Sequence, residues 1–271
     1  MIISKTPLRI SFVGGGSDLP AYYKKNTGSV ISTTINKYVY VIVKKRFDNK
    51  IYINYSKKEI VSEINEIQHS LVRECLIETG ITHGIEITTL SDIPSEGSGL
   101  GSSSAITVGL LNALYNYKNI LLSKVDLAKK ACIIEIDKCK NPIGKQDQYG
   151  CALGGFNQIN FYKNDKVKFF KFDNNFLDFE KCLYLCYTGI TRSANKILKT
   201  QSENSESKSE ENLKLLSGVK DFKKIILSNS FENTGELLDR MWKIKKGMSE
   251  GISNQQIDNL YYKGIEAGAQ G

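Results

Sequence analysis

Read for alternating apolar and polar positions, the chain opens with strands. Residues 3–13 (ISKTPLRISFV) alternate around Pro7, which is expected to break the strand, and Gly14-Gly15-Gly16-Ser17-Asp18 turns the chain. Residues 19–25 fit a short helix or a loop. Residues 30–43 alternate well around Tyr38, Val39, Tyr40, Val41 and Ile42, and residues 51–55 read as a further strand. Between residues 60 and 79, Ile64, Ile67, Leu71 and Cys75 recur at helical spacing among charges, predicting a surface helix. Residues 85–90 (IEITTL) return to a strand, which ends at Ser91-Asp92 and Pro94.

The most informative stretch follows. Gly97, Gly99 and Gly101 alternate, then Ser102, Ser103 and Ser104 open a segment in which Ile106, Leu110, Ala113 and Leu114 recur at helical spacing. Val108 and Leu111 fall off that stripe, so the helix is apolar nearly all round and belongs inside. A glycine loop feeding a helix N-terminus suits an anion. The first-turn N–H groups have no partner within the helix, and the dipole places positive potential there. Hydroxyls of Ser102 and Ser103 add donors, and one of them could hold a Mg²⁺ bridging phosphates. A serine N-cap after a loop is the commoner fate of such a stretch. Three alternating glycines with three serines go beyond a cap and favour phosphate. The pattern is neither GxxxxGK[ST] nor GxGxxG.

Downstream, residues 127–139 form the next helix, with Leu127, Ala128, Ala131, Cys132 and Ile134 along its stripe. Glu135 falls on that inward face, unless Ile133 and Ile136 define it. A buried carboxylate would need a cation or donors. Asn141-Pro142-Ile143-Gly144 stops the helix, and residues 145–149 precede a turn at Gly154-Gly155. Residues 156–172 read as two strands joined by Lys163-Asn164-Asp165. Residues 183–188 read as a strand opening a second domain. Residues 200–212 are polar and repetitive, a solvated loop or a frayed helix. Helices are expected over 213–227, 232–246 and 255–263. In the middle one Leu237, Met241, Ile244 and Lys245 make a stripe with Trp242 beside it, read as core.

Composition narrows the class. A chain of 271 residues accommodates two domains. The six cysteines include no CxxC pair and accompany two histidines, which argues against zinc and a secreted disulfide framework. No apolar run approaches a membrane span and the N-terminus has no signal-peptide pattern, so a cytoplasmic setting is expected. The net charge of +8 is spread over isolated lysine pairs without interleaved aromatics. Nucleic acid is therefore not an expected partner, and the charge suits phosphorylated small substrates equally.

The glycine–serine loop resembles the second motif of the GHMP kinase family, roughly P-x-x-x-G-L-G-S-S-A. Pro94, Gly99-Leu100-Gly101 and Ser102-Ser103 match it, with Ser104 inserted before Ala105. Residues 5–23 (KTPLRISFVGGGSDLPAYY) resemble the family's first motif. Arg9 takes the place of its basic residue and Asp18 that of its aspartate, while Gly15 and Gly16 stand where galactokinases have Glu and His. That form, with the segments at 32–41, 145–157, 187–194 and 242–261, is similar to the branch containing heptose 7-phosphate kinases and the kinase half of fucokinase.

The resemblance implies an α+β fold of two domains. Residues 1–175 would form an ATP-binding domain like the second domain of ribosomal protein S5, with a left-handed crossover. Residues 176–271 would form a ferredoxin-like domain, the active site lying between the two. It implies phosphorylation of the anomeric hydroxyl of heptose 7-phosphate, with ATP and Mg²⁺ as cofactors, by a monomer or homodimer. Asp147 and Arg9 would be catalytic. Glu96, Gly97, Ser98, Gly99, Leu100, Gly101, Ser102 and Ser103 would bind the nucleotide. Ser103 and Glu135 would hold the metal, and Gly15, Gly16, Asp18 and Arg192 the sugar phosphate. Read without the family, Asp147 is a loop-capping aspartate, and Arg192 serves equally as a surface ion pair. The resemblance places the family's third, glycine-rich motif beyond Gly271, so the second domain is expected to be incomplete and the chain a truncated form of the family.

Overall fold

In the computed structural model, which describes residues 1–94, 97–173, 176–190, 194–204 and 207–271, strand β1 (Ile2–Val13) runs through Pro7 without the expected break. Among the described strands β1 pairs only with β2 (Gly28–Lys45), so its outer edge needs no ladder donor and tolerates the proline.

Contacts divide the chain into residues 1–10 with 34–155 and residues 11–33 with 156–271. These boundaries differ from the expected one at 175/176. Strands β1 and β2 each pass from one unit into the other, so both units are assembled from two separate pieces of chain.

In the first unit the second half of β2 pairs antiparallel with β5 (Ile85–Ser91), from Val39 opposite Ser91 to Lys45 opposite Ile85. Strand β3 (Ile51–Asn54) lies parallel to β5 and antiparallel to β4 (Lys58–Val61). The period-two pattern is visible in burial: Val39, Val41, Val43, Ile51, Ile53, Ile85 and Ile87 are all fully buried. Helices α2 (Ser70–Thr79) and α3 (Ser102–Tyr117) cover this face with Val72, Leu76, Leu110, Leu111 and Leu114. The single helix expected over 60–79 is instead β4, one 3-10 turn (Ile64–Glu66) and α2. The Glu66 carboxylate accepts from the Ser62 and Glu63 N–H groups and closes that turn as a separate piece. Helix α2 also buries Leu71, Val72, Cys75 and Leu76 and is no mere surface helix.

The second unit contains the first part of β2 paired with β6 (Phe156–Phe161), which pairs in turn with β7 (Val167–Lys171). Its helices are α1 (Pro20–Tyr23), α6 (Leu177–Lys181), α7 (Ala194–Glu203), α8 (Ser209–Ser228), α9 (Thr234–Lys246) and α10 (Gln255–Glu266). The core is aromatic: Phe12 stacks on Phe222 at 5.1 Å and Phe179 on Phe231 at 5.0 Å, with Val219, Leu237 and Met241 packed in the same cluster. The strand expected at 183–188 does not form. Tyr184, Leu185 and Tyr187 are 89%, 63% and 65% exposed, and no described strand offers residues 183–188 a ladder. Helices α7 and α8 take up much of the polar stretch 200–212. No helix among the described residues is long and apolar enough to cross a membrane.

Candidate functional site

The site in the first unit is built on the N-terminus of α3. Gly97, Gly99 and Gly101 all have positive φ, and Gly101, at φ 76°, immediately precedes the helix. A Cβ added at Gly101 would sit 3.3 Å from Arg9 Cγ and 3.4 Å from Arg9 Nε, so this position needs both the left-handed backbone and the missing side chain. Strand β1 pins the loop. The Arg9 N–H donates to the Leu100 carbonyl at 3.1 Å and Arg9 Nη1 donates to the Gly99 carbonyl at 2.8 Å. The Ser98 and Ser102 hydroxyls lie 3.1 Å apart. Of the three serines opening α3, Ser102 and Ser104 are buried and Ser103 is exposed. Glu96, assigned to the same loop from sequence, lies outside the described residues.

Helix α4 (Lys124–Cys132) is capped by the Ser123 hydroxyl, which accepts from Asp126 N–H. It continues as a π-helical segment, Ile133–Lys138. This local widening turns Glu135 inward: Glu135 is fully buried while Ile133 is 43% exposed, which decides the question that periodicity left open. Ser103 Oγ donates to Glu135 Oε2 at 3.0 Å and Gln148 Nε2 donates to Oε1 at 3.1 Å. Burial pushes the Glu135 carboxyl up to about 7, against the pull of the neighbouring Ser104 hydroxyl and of the Ser103 and Gln148 hydrogen bonds, and the Asp147 charge adds to the rise.

Helix α5 (Gln146–Leu153), where the sequence suggested only residues leading into a turn, carries Asp147 in its first turn. Arg9 Nη2 lies 2.6 Å from Asp147 Oδ2 and Arg9 Nε donates to Oδ1 at 2.8 Å, a two-point fork. Arg9, Gly99, Gly101, Ser103, Glu135 and Asp147 therefore come together in one cluster within one unit. Gln148, fully buried and donating to Glu135, was missed in the sequence. Its only signal was its position next to Asp147.

Hard oxygens dominate the Ser103–Glu135 end. Gln148 Oε1 is buried and has no hydrogen-bond partner among the described residues. One hydroxyl and one carboxylate fit a small hard cation that takes its remaining ligands from phosphate and water. No group of three His, Cys, Asp or Glu residues able to hold a metal ion occurs among the described residues, so these side chains provide no all-protein cage.

In the second unit, the turn over residues 14–18 is tightly held. Asp18 Oδ1 accepts from the Gly16 N–H at 3.0 Å, and Asp18 is 2% exposed. Lys245, on the stripe of α9 that sequence reading assigned to core, donates Nζ to the Gly15 carbonyl at 2.8 Å and to Gln201 Oε1 at 3.1 Å. Burial draws its ammonium down to about 8, with Asp18 pulling the other way. Arg192 lies outside the described residues.

Residues 54–155 match the N-terminal domain of the GHMP kinases. Over 292 aligned residues the chain is 31% identical to the D-glycero-alpha-D-manno-heptose 7-phosphate kinase of Campylobacter jejuni, covering 99% of this chain and 84% of that protein. Among solved structures, a D-glycero-D-manno-heptose 1-phosphate kinase from Bacteroides thetaiotaomicron superposes with a TM-score of 0.72 at 26% identity, over 91% of this chain and 79% of that one. The phosphomevalonate kinase of Streptococcus pneumoniae gives a TM-score of 0.79 at 14% identity, over 98% and 86% of the two chains, a likeness of fold.

Proposed function

The chain belongs to the GHMP kinase family, and from that premise we propose that it transfers the γ-phosphoryl group of ATP to the anomeric hydroxyl of a heptose 7-phosphate, in the cytoplasm, giving the 1,7-bisphosphate. The observation that carries the reading is the fork between Arg9 and Asp147 beside the glycine loop, in the same cluster as the Ser103–Glu135 contact. The heptose class is proposed from the similarity to the Campylobacter jejuni enzyme.

In this reading the loop over residues 97–103 and the first N–H groups of α3 cradle the triphosphate. Ser103 and Glu135 would hold Mg²⁺, which would neutralise phosphate charge. Transfer forms a bond from the sugar oxygen to the γ-phosphorus and breaks the bond to the β-phosphate oxygen, with ADP departing. The hydroxyl proton passes toward Asp147 or solvent. Each Asp147 oxygen keeps a second lone pair beside its Arg9 bond, so the carboxylate can orient the acceptor hydroxyl while its own position stays fixed. Arg9 keeps a cation at the glycine loop, where negative charge develops on the transferring group. Gly15, Gly16 and Asp18 shape the turn that receives the acceptor.

The test is ADP release with purified protein, ATP and Mg²⁺, across heptose 7-phosphate, heptose 1-phosphate, fucose and galactose. Turnover is expected with heptose 7-phosphate, with the bisphosphate seen by ³¹P NMR. Turnover of fucose alone would reject the heptose phosphate and leave a fucokinase-type enzyme.

A further inference from the structure

Two helices distant in sequence reach the backbone of one glycine turn in the second unit. Lys245, the penultimate residue of α9, donates to the Gly15 carbonyl at 2.8 Å and to Gln201 Oε1 at 3.1 Å, and Gln201, on α7, is 3% exposed. Gly16 makes the approach possible. Its φ is 103°, and a Cβ there would lie 2.0 Å from Gln201 Nε2 and 3.2 Å from Lys245 Nζ. The Gly16 N–H then donates to Asp18 Oδ1, so the clamp leads directly to the carboxylate.

Its neighbours on α9 behave differently. Lys243 pairs with Asp239 and Lys246 with Asp258, both through partners that are themselves partly exposed. Lys245 instead places its ammonium against a carbonyl and an amide oxygen. A cation withdrawn from water is costly, and one use that repays the cost is to fix a single geometry.

We propose that Lys245 is a positioning residue for acceptor binding: with Gln201 it fixes the Gly15–Gly16 backbone and hence the Asp18 carboxylate. The inference rests on the reading above, in which this turn receives the acceptor. Its consequence is a split between the two substrates, because the nucleotide loop belongs to the other unit.

Lys245→Met, Gln201→Leu and Gly16→Ala are compared with wild type by steady-state kinetics and by hydrogen exchange of the backbone amides of residues 14–19. Each variant is expected to raise the acceptor KM about tenfold or more, as loss of a hydrogen bond to a charged group would, while the ATP KM stays within about twofold. Turn exchange should accelerate by a similar factor, with the amides of α8 unchanged, which shows that the unit is still folded. An unchanged acceptor KM in Lys245→Met, equal rises in both KM values, or unchanged turn exchange overturns the proposal. If wild type phosphorylates no sugar phosphate, the function proposed above fails, and the exchange comparison decides on the Lys245 clamp by itself.

Discussion

The Arg9 guanidinium holds both carboxylate oxygens of Asp147, at 2.6 Å and 2.8 Å, while its third nitrogen donates to the Gly99 carbonyl at 2.8 Å. One side chain thus ties the glycine loop to the first turn of α5. A lysine cannot reproduce that fork. Arg9→Lys and Asp147→Asn are each expected to lower kcat by about 10²–10³, the scale of losing a placed polar group at a reacting centre. The stability loss should be modest, about 1–2 kcal/mol, because the Asp147 side chain is 27% exposed. Single-turnover kinetics alongside urea unfolding checks both. Wild-type kcat in Asp147→Asn would remove Asp147 from the mechanism.

Glu135 makes stability depend on pH in a direction opposite to that of an ordinary ion-paired carboxylate. Its pKa rises from 4.5 to about 7 because it is buried. Between those values the unfolded chain has lost the proton and the folded protein keeps it, so folding stability falls as pH rises through that window and levels off above about 7. With metal removed by chelation, wild type should therefore lose on the order of 2–3 kcal/mol between pH 4.5 and pH 8 through this group. Glu135→Gln keeps the shape without the charge. It should flatten that slope and unfold at higher urea than wild type at pH 8. Parallel pH profiles for the two proteins would contradict the assignment.

Sequence alone placed the cluster around α3 better than it placed the second unit. Alternation is strong where one sheet face is buried, as at Val39, Val41 and Val43, and those strands were found where they lie. Glu135 stayed ambiguous because the chain leaves the 3.6-residue period at the π-helical segment, where neither candidate stripe applies. Helix α5 was missed because its residues, QDQYGCAL, carry little periodicity and a glycine. Residues 183–188 show the opposite error: an apolar and aromatic run was present, but a strand is completed only by a partner. Lys245 was invisible for a related reason. A long side chain on an apolar stripe fits core packing and a buried polar contact equally well until its far end is located.

Gly101 offers a test of the loop that removes no side chain from the cluster. Its φ of 76° and the 3.3–3.5 Å gap to Arg9 make Gly101→Ala both strained and crowded. The strain is worth about 1–2 kcal/mol for an L-residue. Displacing Arg9 would also loosen the fork to Asp147. The expected outcome is an ATP KM raised about tenfold with a fall in kcat, measured at saturating acceptor. An alanine variant with wild-type ATP KM would mean that the left-handed turn is not needed for nucleotide binding.

Ser103 distinguishes a metal site from a helix cap. A capping serine would turn its oxygen toward its own helix, and its loss would cost stability with no dependence on cation concentration. The Ser103 hydroxyl instead donates to Glu135 Oε2 at 3.0 Å, from an exposed position beside a fully buried carboxylate. Ser103→Ala removes one oxygen and leaves Glu135 with fewer donors, so its carboxylate is harder to ionise and a poorer cation ligand. Half-saturation by Mg²⁺ should therefore shift upward by about three- to tenfold, the scale of about 1 kcal/mol for one lost contact, with the midpoint of thermal unfolding changed little. Ser103→Thr keeps the hydroxyl and should restore the wild-type Mg²⁺ requirement. If Ser103→Ala instead lowers the unfolding temperature at every Mg²⁺ concentration and leaves the activation curve in place, the hydroxyl serves the helix and Glu135 needs another partner for the cation.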